Sequence, residues 1–203
     1  MKRTVSAVLI CLVLITLLSG CSVLSGVNNN VGKTDNTLIS VYGALKENLA
    51  QRGKEGFVLY GARLRVNSEN VGSYVYVYTD KRPDDMKYSD ILIVEVNNRT
   101  GRIEKCSAPE WAEYGAEPYD LISSAMPLEP DKFPIDSDTA VKNAALAHQQ
   151  NGFVYNYIEL TLSYTDGMPV YDIDHISLVN NCIYRSRVDV VTGEVINKSV
   201  EEL

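Results

Sequence analysis

The sequence predicts an α+β protein of two tandem units, each one helix packed on a three- to four-stranded antiparallel sheet. One observation is a repeat. Gly56-Phe57-Val58 returns as Gly152-Phe153-Val154 at an offset of 96, and Thr100-Gly101 returns as Thr192-Gly193 at an offset of 92. A second is patterning: each copy opens with apolar residues at helical spacing and continues with alternating strand patterns. A third is size. Each copy holds about 65 to 75 residues, and a helix laid on one sheet face is the economical way to bury enough apolar area at that length.

Taken in order, residues 1–20 carry Lys2 and Arg3, then an apolar run from Val5 to Leu18 that closes in Leu18-Ser19-Gly20-Cys21. A charged start, a short apolar stretch and small residues at its end read as a secretory signal. The run is shorter than the ~20 residues a membrane-spanning helix needs. Residues 21–34, rich in Ser, Gly and Asn, read as a flexible tether. The first unit spans 35–108. Leu38, Val41, Tyr42, Leu45 and Leu49 fall on one helix face, with Thr34 or Asp35 as the starting cap and Gly53 as the stop. Strands follow through Val66, from Tyr74 to Tyr78, from Ile91 to Val96, and a short one at Arg102–Cys106.

Residues 109–134 form a linker in which Pro109, Pro118, Pro127, Pro130 and Pro134 rule out a long helix. Trp111, the only tryptophan, is expected to pin the linker onto a unit. The second unit spans 135–203. Asp136 or Ser137 caps a helix containing Ala140, Val141, Ala144, Ala145 and His148, and strands follow at Tyr157–Tyr164, Val170–Ile176 and Ile183–Val190. Asp166-Gly167 is a hairpin signal. The four residues that separate the two offsets fall in the loop 79–90, where length changes are cheap.

Charge narrows the partners. The chain carries a net −7, and loss of residues 1–20 takes Lys plus Arg from 19 to 17 against 26 acids, or −9. An acidic surface argues against nucleic acid and against electrostatic adhesion to anionic lipid. Of four cysteines, Cys11 leaves with the signal. Cys106 and Cys182 hold non-equivalent places in the repeat and read as two separate, half-buried thiols rather than a disulfide.

Little points to catalysis. His148 shares a helix face with Val141, Ala144 and Ala145, and His175 shares a strand face with Tyr171 and Ile173, so both read as packing residues. Asp172 and Asp174 lie on one strand face and Asp84-Asp85 in a loop, without sign of the desolvated cleft that a working carboxylate pair requires. No metal-ligand spacing, nucleophile elbow or phosphate-cradling glycine loop occurs, so the expectation is a non-enzyme with no metal and no cofactor.

Tyrosine is the unusual residue, with 13 against 3 Phe. Tyr74, Tyr76 and Tyr78 alternate along one strand and share a face. At the offset of 96, Val75 and Val77 match Tyr171 and Ile173, which puts the three tyrosines on the sheet face away from the helix. Such a row calls for a cover: the Trp111 linker, the other unit, or a partner. Tyr74, Tyr76, Tyr78 and Trp111, with Asp166 and Gly167 of the hairpin, are the binding candidates.

Two resemblances add to this. Leu18-Ser19-Gly20-Cys21 resembles the lipobox of bacterial lipoproteins, which implies lipidation of Cys21, cleavage before it, and a cell-membrane location on the extracytoplasmic face. Residues 137–196 resemble a PepSY domain through Pro169-Val170-Tyr171 and the closing Val188-Asp189-Val190-Val191-Thr192-Gly193-Glu194-Val195, while the first copy is a divergent match without Pro-Val-Tyr. That family implies a cystatin-like fold and a non-catalytic role as modulator of a secreted protease or cell-wall enzyme. The alternative is capture of a small ligand or peptide in a pocket between the units.

Overall fold

A computed structural model describes residues 31, 36–123, 126–149 and 153–203. The elements are α1 (Leu38–Gln51), β1 (Val58–Asn67), β2 (Gly72–Thr79), β3 (Ile91–Asn97), β4 (Ile103–Ser107), the short linker helices α2 (Trp111–Tyr114) and α3 (Glu117–Ser123), then α4 (Ser137–Ala147), β5 (Tyr157–Thr165), β6 (Met168–Ser177), β7 (Cys182–Asp189) and β8 (Val195–Glu202).

The expectation of two helix-on-sheet units, each with its own sheet, is overturned. The described strands form one eight-stranded sheet in the order β4-β3-β2-β1-β5-β6-β7-β8, antiparallel throughout. The seam is β1 against β5, from Ala62 opposite Leu162 to Asn67 opposite Tyr157. Each meander taken alone would present its first strand as an unpaired edge, and pairing the two first strands removes both edges at once. It also merges the cores. One buried cluster holds Leu38, Leu45, Leu64 and Tyr76 from the first half together with Ala140, Leu160, Leu162 and Ile173 from the second.

Both long helices lie on the same face of this sheet. Leu38, Val41, Tyr42, Leu45 and Leu49 of α1 are all buried, as their spacing predicts. The helix starts later than its sequence suggests, with Thr37 as N-cap, and Gly53 beyond its end takes φ 67°. The N-termini of α1 and α4 meet. Asp136 caps α4 by accepting from Ser137 N (2.6 Å), and it also accepts from Ile39 N (3.0 Å) and the Thr37 hydroxyl. Ser137 Oγ in turn accepts from Leu38 N at 3.0 Å. One carboxylate thus serves the positive ends of two helices from opposite halves.

The tyrosine row is on the helix side, the reverse of the sequence expectation. Tyr74, Tyr76 and Tyr78 are 3, 0 and 2 % exposed and pack with α1 residues. The Tyr76 hydroxyl donates to Leu38 O (2.8 Å) and that of Tyr74 to Asn36 O (2.6 Å). The Tyr171 hydroxyl makes the corresponding bond to Ile135 O, 2.9 Å, just before α4. Tyr171 is therefore the counterpart of Tyr74, 97 positions on rather than 96. In a strand a shift of one residue exchanges the two faces.

The opposite face of the first half is covered by the linker. Tyr60, Val77, Met86, Ile91, Ile93 and Ile122 form a second buried cluster against which Leu121 and Tyr114 pack. Gly61 permits this approach: a Cβ there would meet the Leu121 side chain at 3.2 Å. The corresponding face of β5–β8 has no such cover among the described residues. The Asp166-Gly167 turn (φ 53° and 78°) closes the β5–β6 hairpin as expected. The two Thr-Gly turns are also built alike. Asn97 Oδ1 accepts from Arg99 N and Thr100 N, and Asp189 Oδ1 accepts from Val191 N and Thr192 N. Val31, inside the expected tether, is held: its N–H donates to Gly101 O at 2.8 Å and its side chain is buried. Residues 1–30, with Cys21, lie outside the described residues.

Candidate functional site

The six binding candidates are not brought together. The three tyrosines lie under α1, so their side chains offer no surface to a partner. Trp111 is 66 % exposed on the linker side, its ring edge-on to Tyr88 at 5.5 Å. Asp166 and Gly167 are exposed at a hairpin tip.

The open face of β5–β8 carries the acids singled out in the sequence. Asp172 is held by Arg187, with Nε to Oδ1 at 2.7 Å and Nη2 to Oδ2 at 3.3 Å. Asp174 faces Arg185 Nε at 3.4 Å, and Arg185 also reaches Glu201. A shallow basin of ≈ 310 Å³ lies among these groups, Asn197 and Lys198. Partial burial raises the Asp174 carboxyl, and Arg185 opposes the rise. Each acid is matched to a guanidinium on the neighbouring strand, an arrangement of surface ion pairs rather than two carboxylates converging on a substrate.

The histidines pack as expected. His148 ends α4, with Nε2 2.9 Å from both Arg185 O and Ser186 Oγ. His175 is fully buried, and neither ring nitrogen has a partner among the described residues. The rings of Tyr155 and Phe153 stand edge-on to it at 5.0 and 5.5 Å. Burial, and then the neighbouring His148, push its pKa down to about 4. Among the described residues no group of three or more His, Cys, Asp or Glu could hold a metal ion. Cys106 and Cys182 are separate buried thiols.

A cavity that the sequence did not announce lies at the C-terminal end of α1. It measures ≈ 330 Å³, is partly open to solvent, and is bounded by α1, the start of β1, and the linker residues Leu128 and Glu129. The linker is fastened there by Leu128 N donating to Leu59 O at 2.7 Å. The wall is apolar and aromatic: Tyr42, Leu49, Phe57, Leu59, Leu128 and Tyr78. Tyr42, Lys46 and Leu49 come to one side because they follow one another at helical spacing. Lys46, Lys54, Glu55 and Glu129 also line it. Lys46 pairs with Asp131 at 3.4 Å, and Lys54 Nζ sits 4.8 Å from the Phe57 ring centre.

Tyr78 contributes to this wall, and its hydroxyl is buried and has no hydrogen-bond partner among the described residues. Burial raises its pKa well above the usual phenol value, with neighbouring Tyr42 adding to the rise. Burial and then the carboxylates of Asp131 and Glu129 push Tyr42 up to about 12. Both phenols keep their protons at neutral pH and are donors. Only the alternation of Tyr74, Tyr76 and Tyr78 hinted at Tyr78 in the sequence, and it hinted at the wrong face.

No protein-family model matches the chain, and no curated protein matches it; the PepSY resemblance of residues 137–196 gains no support from such a match. The fold is similar to the crystal structure of a protein assigned as a lipoprotein (CD1622) from Clostridium difficile 630. The TM-score is 0.53 with 14 % identity, over 86 % of this chain and 100 % of that one. At this identity the likeness concerns the fold.

Proposed function

We propose that this chain is a lipid-anchored, extracytoplasmic protein that binds a small ligand without transforming it, in the cavity beneath the end of α1. The anchor rests on Leu18-Ser19-Gly20-Cys21. A neighbour in fold assigned as a lipoprotein agrees with it. No helix among the described residues is long and apolar enough to cross a membrane. The binding role is carried by one observation: a partly open cavity of ≈ 330 Å³ whose wall is built largely from Tyr42, Leu49, Phe57, Leu59, Tyr78 and Leu128.

Two experiments test the reading. Mass spectrometry of the mature N-terminus should find a diacylated Cys21, and Cys21→Ser should release the protein from membranes. A fragment library screened by thermal shift should yield compounds that raise the Tm of the wild type but not of Ala50→Trp, a substitution at an exposed cavity-lining position that fills the entrance. A screen in which no compound separates the two proteins refutes the binding site.

A second reading, steric regulation of an extracytoplasmic protease or cell-wall enzyme, is favoured by the open charged face of β5–β8. Cross-linking in native membranes, with Arg185→Glu alongside, tests it: one enriched enzyme that the variant loses would favour regulation over ligand capture.

A further inference from the structure

Resting on the lipid-anchor part of the reading above, we propose that the protein stands end-on on the bilayer that holds Cys21. The end set against the lipid is formed by the β1–β2 turn, the β6–β7 turn and the entry to β5. These segments lie together because Asn67 pairs with Tyr157, Tyr157 with Ile176, and Ser177 with Cys182. Hydrogen bonds fasten them to one another: Ser68 N donates to Asn156 O and Leu178 N to Asn156 Oδ1, both at 2.8 Å. Val71, Val154, Tyr157, Leu178 and Val179 are 38, 45, 45, 59 and 75 % exposed there. Over 67–72, 153–157 and 177–181 the sequence has one charged residue, Glu69. Exposed apolar groups gathered in this way mark a membrane or protein contact.

The path of the chain favours the membrane. The β3–β4 turn is joined to the same end, since Asn98 Oδ1 accepts from Gly72 N and Asn98 Nδ2 donates to Asn70 O, each at 2.9 Å. Val31 N donates to Gly101 O of that turn. Val31 lies ten residues after Cys21, a stretch that reaches at most about 35 Å. The lipid is thus tethered to the end that carries the apolar turns. At the opposite end Met168 and Val191 are also exposed, but Asp166, Asp189 and Glu194 stand in the same turns, and the β2–β3 connection holds Asp80, Lys81, Arg82, Asp84, Asp85, Lys87 and Asp90. With a net −7 the chain has no general attraction to anionic lipid. Contact is made by apolar side chains entering the headgroup boundary, about 5–10 Å deep. The cavity, at the far end of α1 beside Val58 and Leu59, then lies away from the bilayer.

Tryptophan quenching tests the orientation, with the lipidated full-length protein in phosphatidylcholine vesicles made with and without brominated acyl chains. The wild type has a single tryptophan, the exposed Trp111, set against Tyr88 at the opposite end. Its emission should be the same in both vesicles. Trp111→Phe with Val179→Trp should lose much of its emission in the brominated vesicles, and adding Leu178→Asp should restore it. Trp111→Phe with Met168→Trp, at a site 50 % exposed on the other hairpin tip, should lose none, which excludes insertion driven by the added indole alone. Protein that floats with the vesicles but shows no quenching at Val179→Trp, or equal quenching at Trp111 or Met168→Trp, overturns this inference and leaves the anchor. A protein cross-linked in native membranes by the wild type and lost in Leu178→Asp, with Val179→Trp unquenched, assigns the turns to that partner instead. Protein that does not float and carries an unmodified Cys21 by mass spectrometry overturns the anchor, and this inference with it.

Discussion

Asp136 shows how much one side chain can carry in this protein. Its carboxylate accepts from backbone N–H groups of both α1 and α4 and from Thr37. A single N-cap contributes about 1 kcal/mol. Removing this one strips two helices and leaves Ile39 N without the acceptor it has here, so Asp136→Ala should destabilise by about 2–3 kcal/mol in urea unfolding. A loss below about 1 kcal/mol would mean that water replaces the carboxylate at both ends. His175 governs a different response. Its folded pKa of about 4 lies below the ordinary 6.5, so between those values the unfolded chain binds a proton that the folded chain refuses. Stability should therefore be fully present above pH 6.5 and fall as the pH drops toward 4, by about 3 kcal/mol for such a shift. His175→Leu should flatten that part of the pH–stability curve. An unchanged slope would assign the acid sensitivity to other groups.

At the scale of elements, the turns and helices follow short-range chemistry. The β5–β6 hairpin depends on two residues at positive φ, and Gly167 at 78° tolerates this without a Cβ penalty. Gly167→Ala should lower stability by about 1 kcal/mol with the hairpin register kept, which Tm and cross-strand NMR contacts would read. Such elements were legible. The spacing Leu38, Val41, Tyr42, Leu45, Leu49 gives the α1 face, and the N-cap of α4 is Asp136, one of the two residues the sequence offers for it. Asp166-Gly167 and the paired Thr-Gly turns fell where expected. The start of α1 and the face of Tyr74, Tyr76 and Tyr78 were not. The repeat can be aligned at 96 or 97 over so few residues, and strand faces depend on the parity of that choice.

For the whole molecule the seam between β1 and β5 decides the behaviour. Leu160 and Leu162 of one half and Ala62 and Leu64 of the other belong to one buried cluster, so the halves should unfold together. Calorimetry should find one transition. Leu160→Ala, at a fully buried site, should cost about 2–5 kcal/mol and lower hydrogen-exchange protection in β2 as well as in β6. Two separate transitions, or protection lost in β6 alone, would show that the seam does not couple the halves.

The sequence by itself determined the repeat, the helices with their buried faces, the hairpin and the closing turns, because each depends on residues within a few positions of one another. It also carried the Leu18-Ser19-Gly20-Cys21 box, which needs no fold to be read. Only the tertiary structure decided that the two meanders join edge to edge, that the linker covers one half of a sheet face and leaves the other half open, and that a cavity forms between the end of α1, the start of β1 and the linker. These depend on which strand edges meet and on what packs over each face. Composition and period leave both open, since an unpaired edge and an apolar face carry the same residues whichever neighbour covers them.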